Sequence, residues 1–380
     1  MKKKLICWIV LLFCFSPALS CQKSKWIRIG IVEDQSGVLR SVYESQSNGR
    51  NLAIQAINAK ASSTWKIRLL TADSLNIPEK TANLMRDMSD QVDAFMGINS
   101  IECAQVAKYI AHYRQKTLIT DTFDESVTDQ VETTLLFQQS PLNMGKLAVR
   151  YFYSNLKKDR LVILYDESNR SYKSIAKGFS SEGELIGAQV ISESFDSTVG
   201  KIDFNRILAR IQSLNPQVIY FCTNASDHEE LLKLSQLTFN MHSILFLNRI
   251  PDEIMMSSNP KIFQQIFCIV PFFDQKETFV NSKFFAEYKQ KFNKNPDYYS
   301  LMGYDEMILL QEMMATKTNQ SILDLFTHLK GSSMDPLRFM AGFRGFSADG
   351  LAKRPIDIVR ISEGKMQLVT EFWTEVSLRR

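Results

Sequence analysis

The chain has 380 residues, enough for two lobes of ordinary size, and its 45% hydrophobic and 23% charged shares are those of a globular protein. The net charge is only +4, with 45 Lys and Arg scattered among 41 acids, which excludes a dedicated nucleic-acid binder with a concentrated basic face. The sequence holds no GxSxG, HExxH or GxxxxGK[ST] run, and its four histidines stand on separate segments. An enzyme of those classes is not indicated, and no metal or cofactor is expected.

Lys2, Lys3 and Lys4 precede an apolar run over 5–15, and 16–20 turns small and polar. Residues 1–20 read as a secretory signal peptide, the alternative being an uncleaved anchor helix. The run Ala18-Leu19-Ser20-Cys21 resembles a bacterial lipobox, in which the cysteine receives a diacylglycerol and cleavage falls before it. Ala18 and Ser20 also fit an ordinary small-residue cleavage site, and both readings cut the same bond. An acylated Cys21 would tether the protein to a membrane surface. Cys103, Cys222 and Cys268 show no CxxC spacing and are expected as buried free thiols.

From there strand and helix patterns alternate. Strands are expected at 26–33, 65–72, 93–97 and 117–120, with helices over 49–58, 79–90 and from the residues after Gly97 to about 114. The rhythm restarts with an extended piece at 137–140. Helices at 143–156, 171–185, 202–214 and 226–238 then alternate with strands at 160–165, 188–195, 217–222 and 242–247. Such alternation predicts an α/β chain with two doubly wound parallel-sheet lobes in succession.

Ligands of these sheets bind beyond the carboxyl ends of the strands. That singles out 33–37, 97–102, 120–124, 166–172, 223–227 and Asn248 with Arg249. Gly97 would let the chain turn sharply and approach a ligand closely. Ser100 would cap the next helix, whose free N–H groups favour an anion, or serve as an N-cap alone.

These residues carry a family likeness. Ile29-Gly30-Ile31-Val32 with Ser36-Gly37, the segment 93–97 with Ser100, Val162 to Asp166 with Tyr172, and Phe284, Tyr288, Phe292 and Pro296 ahead of Tyr304-Asp305 stand in a telling order. So do Gly345 to Gly350 and Pro355 to Val359. The chain resembles the type I periplasmic binding proteins of the leucine/isoleucine/valine-binding group over about 27–369. The resemblance implies a first lobe of 21–140 plus 271–348 and a second of 141–270 plus 349–373. A hinge of three crossings would lie near 139–141, 270–271 and 346–350, and lobe closure would trap a solute.

It also implies a small-molecule solute, an ABC-transporter permease as partner, no nucleic acid, a monomer, and a place in the periplasm or on the cell surface. Candidate ligand contacts are Ser36, Asn99, Ser100, Asp121, Thr122, Phe123, Tyr172, Asn224 and Asn248. Amino-acid binders of this group hold the α-carboxylate with hydroxyls and backbone N–H groups of the first lobe and the amine with an acid of the second. Here Ile101 takes the place of a second serine, and Asp124 lies near an expected threonine. Glu33-Asp34 replaces a Gly-Pro, and Asn248-Arg249 stands where the acid is often found. If Asp34, Asp121 and Asp124 face the cleft they repel a carboxylate and point to a cationic or neutral solute; otherwise they are solvated loop charges. The alternative function is a lipoprotein that uses this fold to bind a protein partner or to sense a ligand in envelope regulation.

Overall fold

The computed structural model describes residues 25–60, 65–199, 203–224, 228–251, 266–316, 326, 328–362 and 365–373. The expected leader 1–20, Cys21 and the starts of the helices expected from 202 and 226 lie outside the described residues.

In the first sheet β1 (Lys25–Glu33) lies between β2 (Trp65–Asp73) and β3 (Ala94–Gly97). Then come β4 (Thr117–Thr120), β5 (Thr134–Gln139) and the short β11 (Leu351–Ala352), all six parallel. Every residue of β3 and β4 is buried, as a sheet covered on both faces requires. The covering helices include α1 (Arg40–Ala59), α2 (Pro78–Met88) and α3 (Ile101–Tyr113). One face packs Ile27, Ile29, Ile31 and Phe137, and the other Phe95, Leu118 and Met85.

The second sheet has seven strands among the described residues. β6 (Arg160–Asp166), β7 (Gln189–Phe195), β8 (Val218–Cys222), β9 (Ile244–Leu247) and β10 (Ile266–Val270) are parallel. β12 (Ile356–Ser362) and β13 (Lys365–Phe372) close its edge as an antiparallel hairpin. Around it lie α4 (Pro141–Arg150), α5 (Arg170–Ile186), α6 (Phe204–Leu214) and α7 (His228–Met241). Cys103, Cys222 and Cys268 are buried free thiols. Among the described residues no helix is long and apolar enough to cross a membrane.

The chain returns to the first sheet through α8 (Glu277–Val280), α9 (Lys283–Phe292) and α10 (Tyr298–Thr316). α10 crosses α1 with backbones in contact. A Cβ on Gly49 would lie 1.8 Å from the Ser300 carbonyl oxygen, and one on Gly303 would lie 2.2 Å from that of Gln46. This crossing carries Glu306 to Arg50.

Among the described residues three passages join the sheets. The first is Ser140, between β5 and α4, whose hydroxyl accepts from Asn143 N at 3.4 Å as an N-cap. The second is 271–276, after β10. The third is 353–355, between β11 and β12. It falls later than the 346–350 expected, because Leu351 and Ala352 pair with β5 and so belong to the first sheet. The passages are tied together. Arg354 Nε donates to Phe137 O at 2.8 Å, and Asp357 accepts Phe273 N and Lys276 Nζ, each at 2.7 Å.

Candidate ligand cleft

Both sheets place their strand ends, and the loops that follow, toward one another. Ser171 Oγ, at the start of α5, donates to Phe123 O, after β4, at 2.7 Å. Ser174 donates to Glu125, and Arg170 lies 3.9 Å from Asp124. Phe123, from the first lobe, packs against the second lobe's aromatic core, as does Tyr172.

In the first lobe the strand ends converge on a buried ion cluster. Arg50 of α1 is 1% exposed and forks onto Glu33, at the end of β1, at 2.8 and 2.9 Å. Its Nε reaches Glu306 of α10 at 2.5 Å, and Asp121 lies 3.9 Å from Nη2. Gln46 donates to Asp121 at 2.8 Å and accepts from Asn99 at 2.7 Å. Ile98 N donates to Glu33 at 3.2 Å. Burial alone would pull the guanidinium down, but Glu306 and Glu33 push it well above its ordinary value, so it stays charged.

Three carboxyl groups around one cation cannot all ionise cheaply in a dry site. Burial, then the charge and hydrogen bond of Glu306, push the Asp121 carboxyl well above the usual carboxylate range. Asp121 Oδ1 has no donor within reach among the described residues. A proton held on Asp121 and shared toward Glu306 answers both facts and leaves Arg50 facing two carboxylates.

This cluster changes the meaning of Gly97. Its φ is +87°, and a Cβ there would meet Glu33 Oε1 at 2.0 Å and Arg50 Nη2 at 2.9 Å. The glycine makes room for the internal ion pair, where a close approach to a ligand was expected. Ser100 caps α3, accepting from Cys103 N at 3.4 Å, and its hydroxyl donates to Glu102 at 3.3 Å. Ser36 donates to Asp73 at 2.5 Å. Asp34 is 4% exposed and accepts Gly37 N and Leu39 N at 2.7 and 2.9 Å, so it shapes the turn into α1. Asp124 accepts Ser126 N at 3.0 Å and caps a short turn. The crevice bounded by Asp34, Ser74, Asn76, Asn99 and Ser100 has about 10 Å³, room for one water. The Thr122 hydroxyl is buried with no partner among the described residues.

In the second lobe the predicted residues gather at the ends of β8 and β9. Tyr172 OH donates to Thr223 O at 3.0 Å and to Asn224 Oδ1 at 2.9 Å. Asn248 Oδ1 accepts Thr223 N at 2.9 Å, and Arg249 Nη2 donates to Asn224 O at 3.0 Å. Asp166, at the end of β6, gathers Ser168 and Ser197 through hydroxyls at 2.7 and 2.6 Å and so fixes the loop before α5. Phe123 and Tyr172 each pack against the second lobe's buried cluster, which brings Phe123 of the first lobe to that side of the cleft.

Sequence reasoning missed Gln46, Arg50 and Glu306. Their signal is a charged or amide residue on a helix face that is otherwise apolar. Gln46 and Arg50 precede Ala53 and Ile57 on the buried side of α1, and Glu306 stands in a helix rich in Leu and Met.

Solved structures share this fold. A branched-chain amino acid ABC transporter periplasmic ligand-binding protein from Burkholderia xenovorans superposes with a TM-score of 0.72 at 15% identity, over 90% of this chain and 94% of its own. A leucine-binding protein from Thermotoga maritima gives 0.66 at 16%, over 92% and 99%. An ABC-transporter solute-binding protein from Rhodopseudomonas palustris, in complex with 3,4-dihydroxybenzoic acid, gives 0.68 at 15%, over 93% and 98%. No curated protein sequence matches the chain significantly. The family model described as periplasmic binding protein matches residues 26–365, nearly all of the described chain. The chain therefore belongs to the periplasmic binding proteins, a family of binders rather than enzymes.

Proposed function

We propose that this protein captures a small polar solute between its lobes outside the cytoplasm and delivers it to an ABC importer, with Cys21 as a lipid anchor. The observation that carries the reading is the meeting of the two sets of strand-end loops, Ser171 on Phe123, at the free end of a three-passage hinge. In doubly wound sheets that is where ligands sit, and closure between lobes is how such folds hold them.

The solute is neutral or cationic rather than an α-amino acid recognised through its carboxylate. Behind the first lobe's strand ends, Glu33, Asp121 and Glu306 gather around a single Arg50, so carboxyl groups outnumber cations there and disfavour an added carboxylate. The relatives from Thermotoga and Rhodopseudomonas bind a leucine and an aromatic acid respectively, so the fold itself admits different chemistries. Thr122, Phe123 and Tyr172, with Asn224 and Asn248 beneath, supply the proposed hydroxyl, aromatic and amide contacts.

Native mass spectrometry of the gently purified protein, followed by a thermal-shift panel of amines, amides, sugars and amino acids, tests the class. A neutral or cationic hit that also compacts the protein in small-angle scattering supports the reading. Tight leucine binding unaffected by Tyr172→Ala refutes the charge argument. Membrane fractionation of wild type and Cys21→Ser tests the anchor.

A second reading is a lipoprotein that senses a ligand or binds a protein partner. It is favoured by one feature: Ser36, Asn99, Ser100, Tyr172 and Asn248 are already bonded within the protein. A ligand that binds without compaction supports this reading over capture.

A further inference from the structure

We propose that the edge of the first lobe where its strands begin lies against an anionic lipid surface. The strands of this sheet are parallel, so their first residues share one edge, and the helices that lead into them end there. Lys25 and Trp26 open β1 opposite Trp65 and Lys66 of β2. Lys60 follows α1, and Arg114 and Lys116 lie between α3 and β4. Trp26 is 50% exposed, Tyr113 at the end of α3 is 82% exposed, and the Lys25 ammonium lies 5.1 Å from the Trp65 ring.

Indole and phenol rings interleaved with lysine and arginine suit a headgroup layer, where one end of each side chain is apolar and the other wet or charged. Acids at this edge are Asp87, Asp90, Asp93, Glu132 and Asp349, the last two facing Lys330. Asp93 is tied to Arg28 at 2.9 Å, and Lys25, Lys60, Lys66, Arg114 and Lys116 outnumber the other acids, so the balance is basic.

The chain itself brings this edge to a membrane. Gln22, Lys23 and Ser24 alone separate Cys21 from β1. Three residues reach at most about 11 Å. An anchor at Cys21 therefore holds the strand starts down and the cleft away from the surface. This orientation rests on the anchoring proposed above; the lipid affinity of the edge does not.

The test uses the mature chain carrying Cys21→Ser, without acyl groups, and vesicles of phosphatidylcholine with or without phosphatidylglycerol. The protein should co-sediment with the anionic vesicles, be released by salt, and show a blue shift in tryptophan emission. Each cation near an anionic surface is worth roughly fivefold in partitioning. Lys25→Glu/Lys60→Glu/Lys116→Glu should therefore lower binding at least about a hundredfold, with an unchanged melting curve to show that the fold is intact. Equal binding to both vesicle types, or a triple variant that binds like wild type, overturns the proposal. If wild-type Cys21 proves unmodified while the anionic preference holds, the anchor reading falls and the surface stands.

Discussion

Arg50→Met is the sharpest test of the buried cluster. Methionine keeps the length and apolar stem of the side chain but removes the only cation that touches Glu33, Glu306 and Asp121 among the described residues. Both Glu33 and Glu306 are almost fully buried, so neither can turn to water. Breaking such a pair from one side costs about 3–5 kcal/mol, because a buried charge is left uncompensated. For a lobe of ordinary size this lowers the melting midpoint by roughly 10 °C. Acid should restore part of the loss. Without Arg50 the two glutamates take up protons more readily in the folded than in the unfolded state. The native state then binds the excess protons, so the deficit narrows as pH falls from 8 toward 5. Calorimetry across that range checks both points. Arg40→Met, which removes the exposed pair with Glu44 on the same helix, is the control and should leave the midpoint unchanged. An Arg50→Met protein that melts like wild type at neutral pH, or whose deficit is the same at every pH, would show that the cluster is not the charged, dry unit described above.

Three further outcomes follow from the same geometry. Asp121 has a raised pKa in the folded state, so its contribution is present in acid and is lost as pH rises; Asp121→Asn, a permanent donor, should stay within about 1 kcal/mol of wild type at pH 7 and lose less stability at pH 9, as read by urea midpoints. Gly97→Ala places a methyl 2.0 Å from Glu33 Oε1 at a φ of +87° and should cost at least about 3 kcal/mol; a neutral result would mean that Glu33 can leave its place. At the hinge, burial, opposed by Lys276, pushes the Asp357 carboxyl up to about 6; Lys276→Met should destabilise by about 3 kcal/mol in alkaline buffer, a loss that shrinks as pH falls toward 6, because without Lys276 the carboxyl takes its proton at higher pH than in wild type, and levels off below 6.

The fold was legible because its signals are local and repeated. Segments such as Ala94–Gly97 and Thr117–Thr120 are buried on both faces, so each reads as a short apolar run with a turn after it. The third passage was misplaced because Leu351–Ala352 is only two residues long, and pairing of so short a strand is decided by its neighbour β5 rather than by its own pattern. The site was less legible. Gly97 and Ser100 stand where a ligand loop belongs, and their types fit that role. What they touch, however, is decided by Glu33 at the end of β1 and by Cys103 one turn into α3. Arg50 and Glu306 are 256 positions apart and meet only through the α1–α10 crossing. No window of sequence contains both, and each alone stands out only as a charged residue on a helix face that is otherwise apolar.

The cluster and the proposed tether together constrain what the molecule can do. β1 has nine residues and so runs about 30 Å from the strand-start edge to Glu33. With three residues between Cys21 and β1, an anchored chain holds its cleft roughly that far from its own membrane unless it tips over. Tipping would exchange the lysine- and tryptophan-bearing edge for another face, at a cost set by how strongly that edge holds lipid. An importer needs the cleft to reach its permease, whereas a sensor gains from a fixed standoff. The lipid affinity proposed for Lys25, Lys60 and Lys116 thus bears on function as well as on position. A weakly held edge leaves the protein free to lie down and deliver, and a strongly held one keeps it upright, with its lobes presented to whatever partner stands at that height.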